Sequence, residues 1–127
     1  MNERSERNLV GVNPTLAKVV RRADELAAAE GVSFIVTEGL RTKERQKQLM
    51  AAGATRTLNS RHLTGHAIDL ATLVDGEVRW DWPLYDRLSH LMKRAADELH
   101  VYIVWGGDWV SFKDGPHFEL NSKMYPG

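Results

Sequence analysis

The spacing of apolar residues along the chain predicts three amphipathic helices. The first begins at Asn13-Pro14, where an N-cap residue precedes a proline suited to the first helical turn, and it ends at Gly31. The second is predicted over residues 42–52 with Thr42 as its N-cap, and the third begins at Pro83. Intervals of three and four positions separate the apolar residues of the first and third helices: Leu16, Val19, Val20, Ala23, Leu26 and Ala27, then Leu84, Leu88, Leu91, Met92, Ala95, Ala96 and Leu99.

Runs of β-branched and aromatic residues predict short strands between and after these helices. Asp75-Gly76 separates two of the runs and is typical of a tight hairpin turn. Helices early and in the middle of the chain, with hairpin-like strands elsewhere, favour an α+β fold over a parallel α/β sheet. The predicted strands cover residues 32–37, 66–71, 78–80, 101–105 and 117–120.

Composition narrows the chemistry that the chain can perform. The 127 residues show no internal repeat or linker, so we expect a single domain over residues 1–127. The absence of cysteine excludes a disulfide framework, a thiol nucleophile and a Cys-ligated metal, so any metal must be held by nitrogen and oxygen. The 17 basic and 17 acidic side chains balance, which argues against a nucleic-acid-binding protein, a class that usually carries a basic excess.

The first eight residues are polar and lack the apolar run of a secretory signal. No stretch approaches the roughly 20 apolar residues that a membrane-spanning helix needs. We therefore expect a protein without a signal peptide or membrane insertion, which stays in the cytoplasm unless something else releases it.

A cluster of polar residues interrupts otherwise apolar sequence at residues 60–70. His62 stands just before a Thr64-Gly65 turn, and Asp69 lies in the strand that follows, among small neighbours. A buried carboxylate needs a cation or several hydrogen-bond donors to remain ionised. A metal would meet that need, with His62 reaching over from the turn. In the alternative interpretation, Asp69 caps a loop and His62 is a surface histidine.

A second cluster follows the Gly-rich stretch at residues 105–109. Asp114 lies three residues before His117, across a turn that could fold its carboxylate back beside the imidazole. Zinc-dependent hydrolysis requires three protein ligands, an open position for water and a carboxylate to take the water's proton. His62, Asp69 and His117, together with Asp114, would supply that set. Alternatively, Asp108 and Asp114 are ordinary turn residues.

Arg41 follows a predicted strand and precedes a predicted helix. It could face the site and stabilise negative charge on an oxyanion or a substrate carboxylate, or it could pair at the surface with Glu38 or Glu44. The remaining candidates are given simpler interpretations. We expect His66 to support the site or the structure, His90 and His100 to face solvent, and Trp80, Trp82, Trp105 and Trp109 to be core residues or to stack on a sugar.

The pattern Ser60-x-His62-x-x-Gly65-x-Ala67-x-Asp69, followed by Asp114-x-x-His117, resembles a known group of zinc peptidases. These are the D-alanyl-D-alanine carboxypeptidase and VanY-like enzymes, and the chain is most similar to the short phage endolysins that are L-alanyl-D-glutamate peptidases. The resemblance extends from about Pro14 to Leu120. It implies a small α+β domain in which a central antiparallel sheet packs with about three helices.

The same resemblance implies a role for each residue of the motifs. His62, Asp69 and His117 would ligate one zinc ion per chain, and Asp114 would be the general base. Arg41 stands where the family places a substrate-orienting arginine, and Ser60 stands where a serine helps to hold the substrate.

The function implied is that of a phage endolysin that cuts the L-alanyl-D-glutamate bond of the peptidoglycan stem peptide. We expect a monomeric catalytic domain with no separate cell-wall-binding domain, exported from the host cytoplasm through a phage pore protein and causing host cell lysis. A D-alanyl-D-alanine carboxypeptidase with the same metal core is one alternative. A metal-holding module that binds wall or protein without catalysis is another, although the retained Asp114 argues against it.

Overall fold

Four α-helices and five β-strands form the part of the chain that the computed structural model describes, which is residues 1–53, 60–111 and 113–126. Two short 3₁₀ turns, Arg61–Thr64 and Gly106–Asp108, complete the architecture. The helices and strands, in chain order, are α1 (Glu3–Leu9), α2 (Pro14–Ala29), β1 (Ser33–Glu38), α3 (Lys43–Ala51), β2 (Ala67–Val74), β3 (Glu77–Arg79), α4 (Trp82–Glu98), β4 (Ile103–Trp105) and β5 (His117–Leu120).

The five strands form one antiparallel sheet. The order is β1-β2-β5-β4, and the short β3 pairs with the far end of β2. In this register Asp69 of β2 lies opposite His117 of β5 on one side. On the other side it lies opposite Glu38, beyond an irregularity in the β1–β2 pairing between Val36 and Glu38. The centre of β2 therefore brings three polar residues from three strands to one place.

The hydrophobic core lies between the sheet and the two long helices, α2 and α4. Buried residues from the strands, including Ile68, Leu70 and Phe118, join the apolar stripes of both helices. Because side chains alternate across a strand, Asp69 and His117 point to the opposite face of the sheet. The core thus fixes the sheet from one side and leaves the polar residues of β2 and β5 together on the other.

The structure confirms the predicted α+β class and the central antiparallel sheet. The three predicted helices correspond to α2, α3 and α4, with ends that agree to within about two residues, and Asn13 and Thr42 cap the first two. Strand β2 extends three residues beyond its predicted end at Ala71, to a hairpin turn at Asp75 and Gly76, which both have positive φ.

The structure adds one short helix, α1, to the three that the sequence predicts. This helix has only seven residues, too few to display an apolar stripe. Its position is set by tertiary hydrogen bonds to β1. The Ser5 hydroxyl accepts from the Val36 N–H at 2.9 Å, and the Asn8 amide donates to the Val36 carbonyl at 2.8 Å.

Within the described ranges, no helix combines the length and the apolar composition that crossing a bilayer would require.

Candidate metal centre

Three residues from two strands and a 3₁₀ turn converge on the face of the sheet opposite the core. The His62 Nε2 lies 3.4 Å from the Asp69 Oδ1, and the His117 Nδ1 lies 3.5 Å from the same oxygen. One donor atom from each of the three residues lies within 4.8 Å of the other two. The predicted ligand set is therefore brought together in space.

His62 is held by its own turn and by a backbone carbonyl. The Ser60 hydroxyl caps the 3₁₀ turn by accepting from the His62 N–H at 3.2 Å. The His62 Nδ1 lies 2.9 Å from the Gly39 carbonyl, which can only accept, so Nδ1 carries the proton. Nε2 therefore faces Asp69 and is the ring nitrogen available to a metal ion. The ring is only 2% exposed, so the alternative of a surface histidine is wrong.

Gly65 closes this turn in a conformation that a larger residue would not tolerate. Its φ of 75° lies in the left-handed region, and a Cβ there would sit 2.5 Å from the Gly11 carbonyl oxygen. The Gly65 carbonyl also accepts from the Asn13 N–H at 2.8 Å. A backbone hydrogen bond thus joins the turn that carries His62 to the start of α2.

One ring nitrogen of His117 contacts Glu119, and the other faces the site. Its Nε2 lies 2.9 Å from the Glu119 Oε1, and because a carboxylate only accepts, Nε2 carries the proton. Nδ1 is then directed at Asp69. Burial acts to lower the pKa of His117, but the carboxylates of Asp69 and Glu119 outweigh it and raise the pKa to about 9. Protons therefore compete with any metal ion for Nδ1.

Asp69 supplies a carboxylate oxygen that protein groups leave unsatisfied. Oδ1 is buried, and among the described residues no group donates a hydrogen bond to it. Burial acts to raise the pKa of Asp69, but the imidazoles of His117 and His62 hold it well below its usual range. The carboxylate is therefore ionised, and a negative charge lies between two imidazole nitrogens. Asp69 does not act as a simple loop cap.

This donor set fits a zinc ion. Tetrahedral zinc binds nitrogen and oxygen ligands at about 2.0–2.2 Å, which places neighbouring ligand atoms about 3.3–3.5 Å apart. The two measured separations, 3.4 and 3.5 Å, match that spacing. Each histidine also donates its other ring N–H to a protein acceptor, the arrangement typical of metal-ligating histidines.

Asp114 lies in the turn that leads into β5. Its N–H donates to the Gly106 carbonyl at 3.0 Å, and its own carbonyl accepts from the His117 N–H at 3.2 Å. A Cβ at Gly106 would sit 2.3 Å from the Asp114 carbonyl oxygen, so only glycine permits this approach. Burial, followed by the negative charge of Asp69, raises the pKa of the Asp114 carboxyl above its usual range. Asp114 is therefore electrostatically coupled to the site.

Arg41 is buried beside the site and is almost fully engaged by protein groups. Its Nε and Nη2 each donate to a different oxygen of Glu38 at 2.7 Å, and its Nη1 donates to the Gln46 side-chain oxygen at 2.8 Å. Nη2 also lies 3.8 Å from the Asp69 Oδ2. Arg41 thus pairs with Glu38, as one alternative predicts, and it also lies next to Asp69, a residue of the site. It is not a surface arginine, since its side chain is only 8% exposed.

Two partners in this arrangement were not identified from the sequence as parts of the site. Gln46 is a buried polar residue on α3, and Glu119 bridges His117 and Arg61. The sequence offered one indication of the Glu119 contact, because Glu119 lies two residues after His117 and therefore on the same face of the strand. For Gln46, the helix pattern gave no signal.

The other candidate residues lie outside the group formed by His62, Asp69 and His117. His66 contacts the Thr64 hydroxyl at 2.7 Å, while His90 and His100 are exposed, as predicted. The tryptophans differ in environment. Trp105 is buried in the core, the Trp109 ring lies 5.1 Å from the His117 ring, and Trp80 and Trp82 are 56% and 47% exposed.

Comparisons with known proteins agree with the motif-based resemblance. A family model described as phage L-alanyl-D-glutamate peptidase matches residues 1–125. The L-alanyl-D-glutamate peptidase of Escherichia phage T5 is 33% identical over 127 residues, covering 97% of this chain and 90% of the relative. That of Listeria phage A118 is 35% identical over 121 residues, covering 87% of this chain and only 42% of the relative. The chain thus spans less than half of the phage A118 protein.

Among solved structures, the Serratia marcescens L-Ala D-Glu endopeptidase ChiX is similar over the whole chain. The TM-score is 0.91 with 44% sequence identity, covering 100% of this chain and 93% of ChiX. The predicted resemblance is confirmed, both in sequence and in fold.

Proposed function

Because the chain belongs to the phage L-alanyl-D-glutamate peptidase family, we propose that it is a zinc peptidase that hydrolyses the L-alanyl-D-glutamate bond of the peptidoglycan stem peptide. The observation that carries the proposal is the unsatisfied, ionised Oδ1 of Asp69 between the two histidine nitrogens. A carboxylate and two imidazoles form a metal site with room for a further ligand.

In this proposal His62, Asp69 and His117 would hold one zinc ion, through the His62 Nε2, the Asp69 Oδ1 and the His117 Nδ1. The chemistry that zinc supplies in such a site is Lewis acidity, which makes water nucleophilic near neutral pH and polarises the scissile carbonyl. The remaining steps belong to the side chains around it.

Asp114 is the general base in this mechanism. Its raised pKa suits a carboxylate that must accept a proton from water and later give it up. The water oxygen bonds to the L-alanyl carbonyl carbon, and its proton passes to Asp114. As the amide C–N bond breaks, Asp114 returns the proton to the nitrogen of D-glutamate, which leaves as an amine.

Arg41 and Ser60 orient the reactants in the proposed mechanism. The Arg41 guanidinium places a positive charge beside Asp69, where it stabilises negative charge on the oxyanion or on an acidic group of the substrate. The Glu38 and Gln46 contacts hold it in one orientation. The Ser60 oxygen accepts from the His62 N–H, and its hydroxyl proton remains a donor for a substrate carbonyl.

We further propose that residues 1–127 act as one catalytic domain, as a monomer, on cell wall reached after release from the host cytoplasm through a phage pore protein. The family match over residues 1–125 supports a single catalytic unit.

The experiment that tests the function is digestion of purified peptidoglycan sacculi with the zinc-loaded protein, with and without chelator, followed by mass spectrometry. We expect new D-glutamate amino termini that chelator abolishes. Release of D-alanine would identify a D-alanyl-D-alanine carboxypeptidase instead. Binding to sacculi without any product would identify a binding module.

A further inference from the structure

The Arg61 side chain spans the two segments that carry the histidines of the site. Arg61 precedes His62 in the 3₁₀ turn. Its Nη1 donates to the Glu119 Oε2 at 3.3 Å and to the Leu120 carbonyl at 3.1 Å, and its Nη2 donates to the Tyr125 carbonyl at 2.6 Å. One guanidinium therefore ties the turn of His62 to strand β5 and to the segment that follows it.

Glu119 divides its two carboxylate oxygens between this arginine and a proposed metal ligand. Oε1 lies 2.9 Å from the His117 Nε2, and Oε2 lies 3.3 Å from the Arg61 Nη1. The side chains of Glu119 and Arg61 are mostly buried. The three residues form a continuous chain of contacts that ends at the ring nitrogen opposite the one facing Asp69.

The geometry points to Arg61 and Glu119 as positioning residues of the metal centre. Glu119 selects the His117 tautomer that carries its proton on Nε2 and turns the Nδ1 lone pair towards the metal, and Arg61 holds Glu119 in place. This inference rests on the proposed metal site. An imidazole ring on a strand can present either nitrogen, because its terminal torsion is broad, so a fixed acceptor at one edge determines which nitrogen binds.

The Arg61–Glu119 contact is poorly suited to a role in stability alone. It is a single long contact and not a two-bond fork, and the buried Nε of Arg61 has no hydrogen-bond partner among the described residues. Removing two charged groups from water is expensive, so such a pair adds little stability. A pair of this kind is better explained by the orientation that it imposes on His117.

His62 provides an internal comparison. Its non-ligating nitrogen, Nδ1, donates to the backbone carbonyl of Gly39, which no side-chain substitution removes. The corresponding support for His117 comes from a side chain, so it can be changed without touching a proposed ligand.

The test compares two substitutions of Glu119 that differ in whether they can accept the His117 proton. Glu119→Gln keeps an acceptor oxygen and loses the charge, whereas Glu119→Leu fills similar space and accepts nothing. Zinc dissociation constants are measured by competition with a chromophoric chelator, and the thermal unfolding of each chelator-treated protein is recorded alongside. Glu98→Leu is the matched control, because Glu98 forms an ion pair with Arg22 at 2.6 Å on the exposed surface of α4.

We expect Glu119→Leu to bind zinc about 10–100-fold more weakly than the parent protein, the usual effect of losing such a partner. Glu119→Gln should lose less, and Glu98→Leu should match the parent. Arg61→Met should weaken zinc binding in the parent but add little in the Glu119→Leu background, since it acts through Glu119. A purely structural role would lower thermal stability while leaving these constants unchanged.

Parent-like zinc affinity in Glu119→Leu would overturn the inference, whatever the change in stability. If the leucine variant does not fold, Glu119→Gln decides. An amide is a weaker acceptor than a carboxylate, so its zinc affinity must fall measurably, and a parent-like value overturns the inference. Because the assay uses zinc and no substrate, a protein that binds zinc but leaves the L-alanyl-D-glutamate bond intact would refute the proposed function and not this one.

Discussion

Asp69 and His117 are directly opposite each other in the antiparallel β2–β5 pair, and the Asp69 Oδ1 lies 3.5 Å from the His117 Nδ1. This separation is set by strand register and not by a loop. Because side chains alternate along a strand, a slip of one residue would turn one of the two residues into the apolar core. The packing of Ile68 and Phe118 on the core face therefore also holds the proposed metal ligands in place.

Removing either histidine should remove the metal. We expect the parent protein to hold close to one zinc ion per chain, and His62→Ala and His117→Ala to lose both zinc and peptidase activity. The exposed His90 provides the control, and His90→Ala should keep both. Zinc is measured by elemental mass spectrometry after gel filtration. Full zinc content in either site variant would exclude that residue from the ligand set.

Chelation should lower the thermal stability of the protein. The ionised Asp69 carboxylate has an unsatisfied buried oxygen that a zinc ion would coordinate, so zinc should bind the folded state in preference to the unfolded chain. Free zinc at a thousand times its dissociation constant would add about 4 kcal/mol to the free energy of unfolding. Calorimetry with chelator, and then with zinc restored, measures the effect. An unchanged melting temperature would argue against a metal bound only by the folded state.

Residue type, short spacing and a motif resemblance were enough to predict that His62, Asp69 and His117 lie together, as the structure shows. Their role as metal ligands remains a prediction. Asn13 and Thr42 were correctly predicted as caps, because capping depends on the next two or three residues.

Contacts between distant segments could not be predicted in this way. The Gly39 carbonyl that orients His62 lies 23 positions away, and Arg61 meets Glu119 across 58 positions. Helix α1 is fixed by Val36, 31 positions from Ser5. Nothing in the local sequence distinguishes these partners, because strand pairing and packing bring them together. The Gly39 and Glu119 contacts determine which ring nitrogen of each histidine faces the site, so the geometry of the proposed metal site depends on the fold.

Gly65 should tolerate alanine less well than another glycine of similar backbone conformation. Gly76 has a φ of 80° and open space where a Cβ would lie, so Gly76→Ala should cost only the strain of the left-handed conformation, about 1–2 kcal/mol. Gly65→Ala adds a clash with the Gly11 carbonyl, so we expect a further loss of about 1–3 kcal/mol. Urea unfolding of both variants measures the difference. Equal losses of unfolding free energy in the two variants would show that the turn carrying His62 shifts enough to relieve the clash.

Replacing Arg41 should impair turnover more than zinc binding. Arg41→Lys keeps the charge but cannot make the two-bond contact with Glu38 and also reach Gln46. The positive charge beside Asp69 would lose its fixed direction, and we expect kcat to fall by about 10²-fold. Steady-state kinetics on a soluble muropeptide and zinc titration check the two effects. Loss of zinc with unchanged kcat in the loaded enzyme would assign Arg41 to the metal site alone.

The final prediction separates the general base from a metal ligand by making one chemical change at two positions. Asp114→Asn keeps the shape of the side chain but cannot take a proton near neutral pH, so the variant should bind zinc and melt near the parent temperature while turnover falls by about 10²–10⁴-fold. Asp69→Asn should instead weaken zinc binding, because a neutral amide is a poorer ligand than a carboxylate. Zinc titration and turnover measured on both variants give the contrast. Normal turnover in Asp114→Asn would show that another group is the general base, but the structure offers poor substitutes for Asp114. The Asp108 carboxylate is bound to the Lys93 ammonium at 2.7 Å, and Glu119 is engaged with His117 and Arg61.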